Sequence, residues 1–131
     1  AGSIFTFLPG APPVTLSGIW FMTEETFAPA ILVSGGILNI DHCTFHGIGT
    51  SAIRVEGQGH VRITACTFTS NGNLVHSLQG GAIYADGSST VEVEASSFSG
   101  NMAMDGGAIF AAGHARILII LSVFEHNQAL Q

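Results

Sequence analysis

The chain has 131 residues, enough for one domain with a real core, and only 9% of them are charged. Three cations against nine carboxylates leave a net charge of −6, which is poor for a nucleic acid or an anionic membrane surface, since both are bound through Lys and Arg. An apolar fraction of 47% with so little charge argues against disorder, and no run reaches the roughly 18 apolar residues of a transmembrane helix.

Residues 1–13 read as a lead-in segment or an N-terminal partial coil, with Gly10 at a turn. An eight-residue block then begins and occurs five times: Val14 to Phe21, Leu38 to Phe45, Val61 to Phe68, Val91 to Phe98 and Ile117 to Phe124. Aligned on the phenylalanine, the first and third positions are apolar in all five. Successive Phe positions lie 24, 23, 30 and 26 residues apart. A period of this size is the mark of a solenoid. Within the block, Val91-Glu92-Val93-Glu94 alternates apolar and polar, as a half-buried strand does.

Three residues after the Phe stands a second column: Asn71, Asn101 and Asn127, with Glu24 and Ile48 in the same register. Asparagine at one corner of stacked parallel coils can form a ladder, its amide serving the bend and its neighbours above and below. A second apolar strand follows at residues 29–33, 51–55, 81–85 and 107–111. Each ends two residues later in a glycine (Gly35, Gly57, Gly87, Gly113), the residue for a turn that needs positive φ. Loop length varies: ten residues from Asn71 to Gly81, six from Asn101 to Gly107. The long loop over 72–79 bulges from one side of the third coil. A globular α/β unit fails for lack of any useful 3.6-residue apolar period.

Two copies, Phe68-Thr-Ser-Asn71 with Gly80-Gly-Ala-Ile83 and Phe98-Ser-Gly-Asn101 with Gly106-Gly-Ala-Ile109, share one pattern, and Phe124-Glu-His-Asn127 starts a third. This pattern resembles the repeat of the chlamydial polymorphic outer membrane proteins, or more widely the pectin-lyase-like right-handed β-helices. The likeness covers residues 68–131 well and is degenerate over 14–57. It implies a surface-exposed structural or adhesive module outside the membrane, and it carries no catalytic residue across. The fold expected is all-β: one right-handed, single-stranded parallel β-helix of about five coils over 1–131, a piece of a longer solenoid.

Cys43 and Cys66 occupy one column in adjacent coils, about 5 Å apart. Either a disulfide or two buried thiols fits. His42 and His46 are four apart across a strand and a corner, with no acidic or Cys cluster to complete a site, so no metal and no cofactor is expected. Glu92 and Glu94 share one outward face at about 6.5–7 Å, which overlaps the separation in an inverting glycosidase. They are weak catalytic candidates, and any Glu-x-Glu strand has this spacing. Arg62 beside Glu92 reads as an exposed ion pair. The outward column Trp20, Thr44, Thr67, Ser97, Val123 is too irregular to bind ice.

Two surfaces point to partners. Leu32, Arg54, Tyr84 and Phe110 form an outward strip that could stack on glycans or be covered by the long loop. In the fifth coil Leu118, Ile120 and Val123 stand where earlier coils place polar residues, and the end has no polar cap. The expected partners are protein, or further coils of the same chain, at this C-terminal end. The function expected is a non-enzymatic extracellular or cell-surface module with a structural, adhesive or assembly role; a polysaccharide-active β-helix protein, cleaving or only binding glycans, is the alternative.

Overall fold

The structure, a computed structural model, describes residues 3–22, 28–75 and 79–130. The first coil holds β1 (Phe5–Phe7), β2 (Val14–Ser17) and β3 (Trp20–Met22). The second holds β4 (Ile31–Val33), β5 (Ile37–Asp41) and β6 (Thr44–His46), and the third β7 (Ile53–Val55), β8 (His60–Thr64) and β9 (Thr67–Thr69). The fourth holds β10 (Ile83–Ala85), β11 (Thr90–Glu94), β12 (Ser97–Ser99) and the short β13 (Met102–Ala103). The fifth holds β14 (Ile109–Ala111), β15 (Arg116–Ile120), β16 (Val123–Glu125) and β17 (Gln128–Ala129).

These strands stack into three five-stranded sheets, β1-β4-β7-β10-β14, β2-β5-β8-β11-β15 and β3-β6-β9-β12-β16, with β13 beside β17. Neighbouring strands are parallel throughout. The molecule is an all-β parallel solenoid. Its turns, a little over four, agree with the five repeats in the sequence. The lead-in over 1–13 contributes β1, which pairs Phe5 with Ile31 and so belongs to the first coil. Among the described residues no helix is long and apolar enough to cross a membrane.

Each inward column stacks like on like. Val14, Leu38, Val61, Val91 and Ile117 are register partners, as are Leu16, Ile40, Ile63, Val93 and Ile119. The five phenylalanines form one stack, with centroid separations of 4.6, 4.7, 4.6 and 4.5 Å and interplanar angles of 5° or less. The three middle rings are wholly buried.

The eight-residue block is two strands rather than one strand and a corner. The chain bends between them at Gly18, His42, Ala65, Ala95 and Leu121, all at φ of 50–66°. Non-glycine residues seldom take this conformation, and here a whole column holds it, each bend fixed by those above and below. The turn glycine of the second coil is Gly36 (φ 76°), not Gly35. The turn from Val33 to Leu38 is one residue shorter than that from Val55 to Val61. Gly35 instead lets Pro9 approach, since a Cβ there would lie 2.7 Å from Pro9 Cα. In the Gly-Gly pairs the first glycine takes positive φ (Gly80 68°, Gly106 60°). The second lies so close to the next coil that a Cβ on Gly81 would collide with the Gly107 carbonyl.

Candidate functional site

The Asn column forms the expected ladder. Asn71 Nδ2 donates to Phe45 O (2.9 Å) and Asn101 Oδ1 (3.0 Å), and Asn101 Nδ2 to Phe68 O (3.0 Å) and Asn127 Oδ1 (2.8 Å). Backbone N–H groups of Ile48, Asn71 and Asn101 donate to the Oδ1 of the following Asn. Ile48 thus keeps its place in the column by donating its backbone N–H alone. Glu24 lies outside the described residues.

Cys43 and Cys66 are free, buried thiols in the structure. Each Sγ donates to a carbonyl of its own bend, Asp41 O or Thr64 O at 3.3 Å, with a carbonyl of the previous coil at 3.6 Å. Burial pushes the Cys43 thiol up and the Cys66 thiol to about 11. Ser96 and Ser122 continue the column: each hydroxyl accepts an N–H from the coil before, Cys66 N (3.0 Å) and Ser96 N (3.1 Å).

Glu92 and Glu94 lie on the outward face of β11, as alternation requires. Glu92 Oε2 accepts from His60 Nε2 (2.6 Å) and Arg62 Nε (3.0 Å). These two bonds, His60 first, hold its carboxyl below the ordinary range. A carboxylate held ionised in this way is a poor general acid. His60 was not singled out in the sequence, although His60-Val61-Arg62 places it and Arg62 on one face. Both glutamates border a shallow depression of about 150 Å³, with Arg62, Thr64, Leu118 and Ile120. That is well under the roughly 300 Å³ at which small-molecule pockets begin. Among the described residues no group of three His, Cys, Asp or Glu side chains could hold a metal ion.

On the first sheet Leu32, Arg54, Tyr84 and Phe110 are register partners, as expected. The Arg54 guanidinium lies 4.5 Å from the Tyr84 ring centroid. Phe110 stacks on Tyr84 at 5.9 Å and 6°. Arg54 precedes Tyr84 by one coil and Phe110 follows it, so both faces of the tyrosine ring are occupied. Sugar stacking uses ring faces, and among these rings only the outer face of Phe110 remains. The next outward column, unremarked in the sequence, pins the strip. Arg54 Nε lies 3.3 Å from Glu56 Oε2, Tyr84 OH donates to Asp86 Oδ2 (3.1 Å), and Ser34 Oγ donates to Glu56 Oε1 (2.9 Å). Burial, then the Asp86 bond, raises the Tyr84 hydroxyl. Whether the long loop covers the strip turns partly on residues 76–78, which lie outside the described residues.

At the first coil Phe21 is 2% exposed, with Phe5 edge-on to it at 6.0 Å and 79°, while Ile4, Leu8, Trp20 and Met22 are exposed. At the fifth coil Phe124 is 41% exposed, and Leu118, Ile119, Ile120, Leu121, Val123 and Leu130 are exposed as well. The expected partner residues Leu118, Ile120 and Val123 therefore sit in one apolar end region. β14, β15 and β16 are the last strands of their sheets, each paired on one side only.

A family model described as a right handed beta helix region matches residues 29–129. No curated protein and no solved structure matches the chain.

Proposed function

The chain belongs to the right-handed β-helix family, and on that premise we propose that it is a non-enzymatic extracellular or cell-surface module with a structural, adhesive or assembly role. The observation that carries this reading is the fifth coil. Its outward Leu118, Ile120 and Val123 are exposed, although they stand in register with Glu92, Glu94 and Ser97 of the coil before. Contiguous exposed apolar surface of this kind marks a protein contact. The Phe-x-x-Asn … Gly-Gly-Ala-Ile pattern supports a cell-surface setting through its likeness to the chlamydial outer membrane repeat.

Glu92 and Glu94, beside an open depression, favour the polysaccharide-active alternative. Against it stand the small volume of that depression and the ionised, doubly bonded Glu92. The test is the size of the particle isolated from the native source, with its components identified by mass spectrometry. Copurification in a larger assembly, lost when Leu118 and Ile120 are both changed to Lys, is the expected result. A stable free monomer that cleaves a glycan, with cleavage lost on Glu92→Ala/Glu94→Ala, would replace this reading by the enzymatic one.

A further inference from the structure

One lateral face of the solenoid carries an unpaired cation and an unpaired anion on either side of an apolar side chain. We propose that this face, the outward side of β11 and β15, binds a second copy of the chain side by side. Leu118 lies on the twofold axis, and Arg116 of each copy pairs with Glu94 of the other. The proposal rests on the assembly reading above and names the partner.

The grounds are register and charge. On β15 the outward residues are Arg116, Leu118 and Ile120, and their partners on β11 are Thr90, Glu92 and Glu94. Glu92 is held by His60 and Arg62. Arg116 and Glu94 are exposed, and among the described residues neither side chain has a partner. Four strand positions separate them, about 13 Å, so they cannot pair within one copy. Exposed Leu118 stands midway between those positions. All of these side chains point sideways from the axis along which coils stack, so coils added at either end leave the face outward.

A twofold axis parallel to the solenoid axis sets two copies side by side with their facing strands antiparallel. Leu118 then meets its own counterpart. Arg116 lies over Ile120 of the other copy, with Glu94 of that copy one coil away, about 4.8 Å along the axis. Glu92 and Arg62, which are register partners, also fall on the twofold axis. Each Glu92 carboxylate, already held by its own Arg62, has the Arg62 of the other copy on the diagonal. Other occupants fit less well. Over the third to fifth coils the face sets Arg62 and Arg116 against Glu92 and Glu94, a local balance in a chain of net charge −6. A basic partner would meet the two arginines, and an acidic one the two glutamates. A five-stranded face about 17 Å wide offers on the order of 400 Å² per copy. That is the small end of specific interfaces, so the dimer is weak and forms at high concentration.

Sedimentation equilibrium of the intact chain, up to about 1 mM, tests this. The parent should form dimers. Arg116→Glu and Glu94→Arg should each weaken self-association at least about tenfold, because each variant sets like charges against one another across the axis. An equimolar mixture of the two variants should associate like the parent, since both reciprocal pairs are then restored with their signs exchanged. Should either variant fail to fold, Arg116→Gln and Glu94→Gln, which only delete a charge, should still weaken the parent dimer. No self-association up to about 1 mM would overturn the proposal. So would single variants that associate as the parent does, which is the behaviour of end-to-end growth, or a mixture no stronger than its components. A larger native assembly that takes in both single variants as readily as the parent overturns this face and leaves the assembly reading standing. Restored association in the mixture, together with glycan cleavage by the native protein, supports this face and removes the non-enzymatic reading.

Discussion

Asn101 donates its side-chain amide to the carbonyl of Phe68, 33 residues earlier, at 3.0 Å. That bond ties the corner of the fourth coil to the phenylalanine of the third. The same side chain's oxygen accepts from the backbone and amide of Asn71, so one wholly buried residue serves two coils. Asn101→Ala would strand the Asn71 N–H and the Phe68 carbonyl in the interior. An unsatisfied buried polar group costs about 1–3 kcal/mol, so the loss should be about 2–5 kcal/mol. Asn127→Ala, at the half-exposed end, should cost about 1 kcal/mol or less, because water can replace its partners. Urea unfolding of both variants checks the contrast; equal losses would mean the ladder contributes nothing specific to burial.

The phenylalanine stack makes a parallel comparison. Phe98 is sandwiched between Phe68 and Phe124 at 4.6 and 4.5 Å and is wholly buried. Phe98→Ala should cost about 3–5 kcal/mol through the cavity it opens between two rings that cannot close on it. Phe124→Ala removes a ring with one partner and 41% exposure, and should cost less than half of that. Differential unfolding in guanidinium gives both numbers. A Phe98→Ala loss under about 1 kcal/mol would remove it from the core stack.

Much of this architecture was legible because a solenoid repeats its demands. Five phenylalanines at similar spacing, and three asparagines three residues after them, place a column of each, and register does the rest. The positive-φ bend within each block was not legible, since Gly18, His42, Ala65, Ala95 and Leu121 share no side-chain chemistry. The backbone is forced there by the stack, and the residue type only tolerates it. The aromatic strip was placed in the right column, but sequence register gives no ring orientation. That is why the Arg54–Tyr84–Phe110 stack, with its ring faces turned on one another, emerged only in three dimensions. His60 escaped notice because its partner Glu92 is 32 residues away and had already been paired with Arg62.

Gly47 and Gly81 separate two reasons for glycine. Gly47 has φ of 66° with open space around it, so Gly47→Ala should carry only the left-handed backbone term of about 1–2 kcal/mol. Gly81 has no positive φ, and a Cβ there meets the backbone of Gly107 and of Met102. Backbone cannot yield as a side chain can, so Gly81→Ala should be the more damaging, by at least about 1 kcal/mol. Thermal unfolding of the two variants side by side distinguishes strain from collision.

Acid should weaken the third and fourth coils through Glu92. Its folded carboxyl is depressed below the unfolded value by His60 and then Arg62. A depressed carboxylate contributes stability above its unfolded pKa, near 4.3, and loses it as pH falls through the lower folded value. The Glu92 side chain is 37% exposed, so salt screens the effect. The stability of the parent protein should therefore fall more steeply below about pH 4.5 than that of Glu92→Gln, and 1 M salt should narrow the gap. Superimposable pH profiles would mean that neither bond survives in solution.

The two cysteines should be chemically silent in the folded chain. Reaction needs the thiolate, and burial raises both thiols, that of Cys66 to about 11. At pH 8 the thiolate fraction of Cys66 is then on the order of one in a thousand, and its Sγ is inside the solenoid besides. Alkylation of the native protein should be slow at Cys66 and become rapid in denaturant. The sign for stability follows from the same shift. A group that ionises more easily unfolded than folded destabilises the fold once pH exceeds its unfolded pKa, here near 8.5. Cys66→Ser should then flatten the alkaline limb above about pH 9. Serine already fills this column at Ser96, where its hydroxyl accepts one N–H and donates to the Glu94 carbonyl, so the variant should fold with the same corner geometry. Rapid labelling of native Cys66 at pH 8, measured by mass spectrometry, would contradict its buried place in the ladder.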